Sequence, residues 1–261
     1  MNNLKFLLRN NFLEFKRSKK WIIYILVFTF LGLVSTLTAK FLLPAFNEVF
    51  EMLGIVYTTS IADSYVEFSA NMGEISYLLI VIMFSTSLFK EKSSLTYYLL
   101  KSNGVKESEI VLSHYISKMI LITVSYLVSL LVFVPMNILL FKSYTGYRGV
   151  IALTYIYLLM IFALSFALFI SSFITKKSHG ILIGIVSYFV LTILVTIPYV
   201  DVFTPYYSLN LVTNIMRDQT HIAKDYLINA FTSLSLIIGF VFLSIYLFKN
   251  KIDNRKEKNN G

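Results

Sequence analysis

The sequence predicts an all-α membrane protein: six transmembrane helices, both termini cytoplasmic, and an amphipathic interfacial helix ahead of the first span. Three observations carry this reading. The chain is 57% hydrophobic and only 14% charged, whereas a soluble domain carries about 25% charged residues. Its apolar residues gather into six segments, most of them near the roughly 20 residues that a helix needs to cross a bilayer. None shows the period-two alternation of a membrane β-barrel. Finally, with the N-terminus placed inside, 18 of the 23 Lys and Arg residues fall in the inner segments, the bias that sets membrane orientation. Cysteine is absent, which excludes disulfides, thiol catalysis and cysteine-based metal sites.

The first twenty residues do not read as a signal peptide, because the apolar run that follows is long enough to span and lacks a small-residue cleavage site. Leu4, Leu7, Leu8, Phe12 and Phe15 recur at helical spacing with Lys5, Arg9, Lys16 and Arg17 between them. Such a helix lies in the membrane interface, its cations at anionic headgroups. Arg9, Lys16, Arg17, Lys19, Lys20 and Trp21 are its expected anchors to lipid. Packing of the same face on the protein's own surface is the other option, and the two are compatible.

The expected spans are 21–43, 71–89, 119–141, 150–175, 180–200 and 226–248. The second has only fifteen uncharged residues, Ile75–Phe89, about 22 Å of helix. It therefore starts near Asn71, with Glu74 in the outer interface. The tail, 249–261, is basic and polar and is expected to fray. Its cations and those of the inner loops sit where anionic lipid attracts them; nothing in their placement points to nucleic acid. Outside, Phe46, Val49, Phe50 and Leu53 suggest an amphipathic helix over the outer leaflet. Between the last two spans, Pro198 and Pro205 break the helix among Tyr199, Phe203, Tyr206 and Tyr207. That segment is either an interfacial aromatic belt or a re-entrant hairpin buried in protein.

Catalytic constellations are missing. There is no GxxxxGK for nucleotide phosphates. His114, His179 and His221 are far apart, none is in an HExxH, and each reads as an ordinary loop residue. Ser125, Ser129, Ser165 and Ser187 lie in spans without a histidine base, so they are expected to hydrogen-bond between helices. Asn137, near Pro135, is expected to be a bundle contact, and Gly180 with Gly184 forms a GxxxG that permits close helix approach. The spans carry essentially no charge of the kind that marks an ion path, so any transport must draw energy from elsewhere.

The loop 90–118 is the one long polar interruption on the inner side. In it Leu95, Tyr98 and Leu99 form an apolar stripe on a short helix. Ser93 or Ser94 can cap that helix, and Gly104 can supply the left-handed residue that ends it. A second helix starts near Lys106, with Glu107 and Glu109 favourable at its N-terminus. An apolar stripe without a neighbour in its own loop fits a partner's groove.

Phe89, Glu91, a short helix ending in Leu99–Leu100, Ser102 before a glycine turn, an acidic-to-apolar helix and Lys118 together resemble the ABC-2 type transporter permease family. The six spans, the basic N-terminal helix and the proline-broken outer segment are similar too. Ser93–Ser94 stands where the family often has glycine, and a large outer domain is absent. The resemblance implies a coupling helix over 91–104 that docks on a separate ATP-binding subunit, with Glu91, Leu95, Tyr98, Leu99 and Lys101 as its contacts. It also implies pairing with a second permease subunit in the cell membrane. ATP and Mg would reside in the partner, so this chain would hold no cofactor, metal or catalytic site of its own. Together with the small outer loops and aromatic bundle, the resemblance to short permeases of this kind implies export of an amphipathic or antimicrobial peptide or other amphiphile. A non-transporting membrane immunity or sensor protein is the alternative.

Overall fold

A computed structural model describes residues 3–45, 59–89, 91, 95–174, 176–217 and 223–260. Among them every regular element is helical. Helix α1 covers Asn3–Ser18 and α2 covers Lys20–Leu37, continuing through a π-helical turn to Leu42. Helix α3 runs Ile61–Phe84, with a π-helical turn at Met72–Ser76. A short α4, Leu95–Ser102, leads into the long α5, Glu107–Phe141. Then come α6, Gly146–Phe173; α7, Lys177–Leu194; α8, Ser208–Met216; and α9, Ala223–Asn260. Six of these are long and apolar enough to cross a membrane: α2, α3, α5, α6, α7 and most of α9. This is a multi-pass helical membrane protein.

Helix α6 is the hub. In its most apolar stretch 67% of residues are buried, against 11% for α7 and 22% for α9. Ala152, Ala163 and Ala167 are fully buried along it, and small side chains let neighbouring backbones approach. It packs against α9, α8, α3 and α5, while α2 and α5 share the other principal seam. Gly32 of α2 makes that seam close: a Cβ there would lie 2.7 Å from Ser129 Oγ and 3.0 Å from the Ser129 carbonyl. Phe133 fills the space beside it, stacked on Phe68 at 4.2 Å and edge-on to Tyr65 at 5.0 Å. On the lipid side, Leu26, Phe30, Leu131, Leu139, Phe231 and Phe242 stay exposed, as expected where hydrocarbon replaces water.

Several boundaries and contacts differ from the sequence expectation. The second span was expected over 71–89, but its helix is Ile61–Phe84 and the chain turns at 85–88. The early start is possible because Asp63 is not left alone. Its carboxylate accepts the Ser60 backbone N–H at 2.8 Å and pairs with Arg217 at 3.3 Å. The tail, expected to be frayed, is helical as far as Asn260. The serines expected to bond between helices mostly turn back: Ser125 and Ser165 donate to carbonyls of their own helices, a familiar alternative for a helical hydroxyl. Ser187 does the same and also meets the Tyr77 hydroxyl at 3.4 Å. Asn137 is a bundle contact as expected, donating to Phe133 O and to Thr36 Oγ1. Gly180 and Gly184 do give close approach, lying against Ser85 and Val81 of the α3 end. The expected outer helix through Phe46, Val49, Phe50 and Leu53, the Ser93–Ser94 cap and His221 lie outside the described residues.

Residues 198–217, ahead of α9, fold back against the bundle. Arg217 meets Asp63 in the first turn of α3, whereas Leu209 abuts Gly73 and Tyr206 meets Tyr77. From Asp63 to Tyr77 is about 20 Å of helix. Asn229 of α9 clamps the descending turn by donating to Val202 O at 3.0 Å and Thr204 O at 2.8 Å. Buried backbone carbonyls need such partners.

Candidate functional site

Helix α4 is short, and eight residues do not hold a helix by propensity alone. A C-terminal Schellman motif and a side-chain clasp hold this one. Gly104 adopts φ +74°, its N–H bonds Lys101 O at 3.0 Å, and Val105 N–H bonds Leu100 O at 3.1 Å. That is the paired bonding of a glycine-terminated helix, with buried Val105 as its apolar contact. Glu109 then accepts the Lys106 backbone N–H at 2.8 Å to start α5, so Glu109 has the N-terminal role expected of it.

The clasp centres on Glu107. Its Oε1 accepts the Tyr97 hydroxyl at 2.8 Å and the Lys101 ammonium at 2.6 Å. Tyr97 is buried, its ring edge-on to Phe248 of α9 at 6.2 Å. Burial and the Glu107 hydrogen bond push its hydroxyl up to about 12, and the same carboxylate raises the Lys101 ammonium. Tyr97 and Leu100 thus face the protein, whereas Tyr98 and Leu99 face outward, 51% and 63% exposed. Of the expected docking residues, Tyr98 and Leu99 stand free on one face. Lys101 is half turned inward to Glu107. The Leu95 side chain lies outside the described residues.

Glu91 is elsewhere. Its side chain is 18% exposed and its Oε1 lies 3.1 Å from His114 Nε2 on α5. Lys118, one turn further along, places Nζ 2.7 Å from His114 Nδ1. An ammonium only donates, so Nδ1 accepts and the Nε2–H donates to Glu91. A neutral imidazole therefore bridges a buried cation and a buried anion, the pairing that keeps charges tolerable away from water. Burial pushes the Glu91 carboxyl up, but the His114 hydrogen bond and the Lys118 charge outweigh it and hold it below the ordinary range. His114, read from sequence as an ordinary loop residue, is the centre of this cluster. The one-turn spacing of His114 and Lys118 was the available signal.

Helix α1 ties both features together. Residues 3, 7, 11 and 15 form a stripe at four-residue spacing. Asn3 donates to Gly104 O at 3.3 Å, Leu7 is buried, Asn11 donates to Ser113 Oγ at 3.2 Å, and the Phe15 ring lies 6.0 Å from Lys118 Nζ. Arg9, Lys16, Arg17, Lys19, Lys20 and Trp21 remain exposed on other faces, beside the exposed apolar Phe6, Phe12 and Leu13. Helix α1 thus packs on the protein along one stripe and leaves its other faces exposed. No protein-family model matches the chain, and no curated protein matches it.

Proposed function

We propose that the chain is the permease subunit of an ATP-driven ABC exporter in the plasma membrane, with both termini cytoplasmic. A separate ATP-binding subunit, holding ATP and Mg, docks on α4, and a second permease subunit completes the transporter. The observation that carries this reading is the Tyr98–Leu99 pair: two large apolar side chains turned away from the protein on a helix otherwise pinned by a clasp and a glycine turn. Exposed aromatic and aliphatic residues on a rigid polar-side helix suit a groove in a soluble partner. Helix α5 continues from this turn as one rod of about 50 Å, so a push at α4 is delivered to the seam with α2.

An amphipathic or antimicrobial peptide, or a similar amphiphile, is the substrate class. In support, an apolar cavity of ≈490 Å³ lies between α6, α7 and α9, walled by Phe166, Val190, Phe203 and Phe240 among others. Such a lining suits an apolar tail and offers little to an ion. Co-purification from the native host tests the docking. The ATP-binding subunit is expected to be lost with Leu99→Glu and retained with Lys256→Glu. Retention with the first and loss with the second refutes docking on α4. Absence of any ATPase, together with no nucleotide-dependent change, favours the immunity or sensor reading instead.

A further inference from the structure

A second cavity, of ≈160 Å³, lies beside the Glu91–His114–Lys118 cluster, away from the docking pair. Its walls come from α1, the starts of α2 and α7, the end of α3 and the polar half of α5. These are the places where four apolar segments begin or end, which is the level of lipid headgroups. The lining mixes basic and acidic side chains: Lys20, Lys118 and Lys177 with Glu14 and Glu91. Two polar atoms beside it are orphans among the described residues. Glu91 Oε2 and Ser87 Oγ are buried with no hydrogen-bond partner.

We infer that this cavity binds the headgroup of a membrane phospholipid, a phosphodiester whose tip carries N–H or O–H donors, as ethanolamine and glycerol headgroups do. The phosphodiester has Lys20 and Lys177, at the two span starts, as its partners. The tip supplies what Glu91 Oε2 lacks. A buried carboxylate oxygen without a donor is costly, and Glu91 already lines the cavity. Phe15, Met83 and Phe84 add an apolar wall for the start of the acyl chains. One water would answer one orphan, yet the cavity has room for several times the roughly 30 Å³ a water occupies in the liquid. It also has Lys20 and Lys177 in its lining, which a phosphate pairs and water does not. A choline tip carries no donor and leaves both orphans as they are. This inference does not depend on the ATP-binding partner.

Native mass spectrometry of the full chain, purified in detergent and stripped of lipid, reads this directly. It is titrated with phosphatidylethanolamine, phosphatidylglycerol and phosphatidylcholine of identical acyl chains. The first two are expected to bind about tenfold tighter than the third, the order of one hydrogen bond to a charged group. Ser87→Ala and Glu91→Gln shrink that preference, whereas Lys177→Gln weakens all three lipids alike. Equal binding of the three lipids by the unaltered protein overturns the proposal, with no variant needed. So does a preference unchanged in Ser87→Ala together with affinities unchanged in Lys177→Gln, which places the lipid elsewhere. Soluble glycerophosphoethanolamine is expected to bind at least tenfold more weakly than the lipid; equal affinity assigns the cavity to a free phosphodiester and overturns the lipid assignment.

Discussion

Replacing Gly104 by alanine isolates the backbone cost of the turn that presents Tyr98 and Leu99. A Cβ on Gly104 would meet nothing within 4 Å, so crowding contributes nothing. What remains is φ +74°, a region that costs an ordinary L-residue roughly 1–2 kcal/mol. That cost falls on the closed turn, because the two bonds to Lys101 O and Leu100 O form only when residue 104 is left-handed. A penalty of this size shifts a local equilibrium by roughly 5- to 30-fold. Helix α4 has no covalent support beyond its neighbours, so it can fray without unfolding the bundle. Hydrogen exchange on the full chain in nanodiscs is the assay. Amides of α4 and of residues 104–105 are expected to exchange roughly 5- to 30-fold faster in Gly104→Ala, with the middle of α5 unchanged. Gly104→Asn should fall between the two, since asparagine tolerates this conformation better. Unchanged α4 exchange in Gly104→Ala, or faster exchange throughout α5, refutes the view that this turn alone closes the helix.

Two further glycine changes separate packing from propensity. A Cβ on Gly239 meets nothing within 4 Å, whereas one on Gly32 meets the Ser129 carbonyl at 3.0 Å. Both alanine variants gain about 1 kcal/mol of helix propensity, but Gly32→Ala also overpacks the α2–α5 seam, at roughly 1–3 kcal/mol. Reversible unfolding in mixed micelles should rank Gly239→Ala at or above the unaltered protein and Gly32→Ala below Gly239→Ala by about that overpacking cost. Asn229 is fully buried and spends both amide protons on the descending turn. Asn229→Ala should cost about 1–3 kcal/mol in the same measurement. Asn229→Asp should cost more, because an ionised carboxylate only accepts and would face two carbonyls.

The six spanning helices were legible in the sequence because apolar length is a local property. The start of α3 was not, because Asp63 reads as an outer-loop charge until Arg217, far along the chain, is known to pair with it. Helix α4 was legible through Gly104 and the acidic pair after it. Which of its apolar residues face outward was not, since Tyr97, Tyr98, Leu99 and Leu100 run consecutively and a two-turn helix has too few residues to fix a phase. The neighbouring elements decide it: Phe248 and Glu107 take Tyr97 inward and leave Tyr98 and Leu99 outside. Glu91 was assigned to the docking helix by resemblance, and its contact with His114 was not legible because it joins residues 23 positions apart.

Helix α7 rests on the bundle through Gly180 and Gly184, its two buried residues, near one end. Its other end walls the ≈490 Å³ cavity with Val190, Leu191 and Leu194. That arrangement is a door hung from its lower edge. Glycine seams meet as smooth surfaces, without the interlocking knobs that resist rotation. From Gly184 to Leu194 is about 15 Å, so a swing of about 10° carries Leu194 roughly 2.5 Å outward. The latch is Tyr188, whose ring meets Tyr77 at 6.0 Å and Tyr206 at 5.9 Å. Opening toward lipid therefore loosens these aromatic contacts, the Tyr77–Ser187 hydroxyl pair and the packing of Ile183 and Leu191, and leaves the α2–α5 and α6–α9 seams in place.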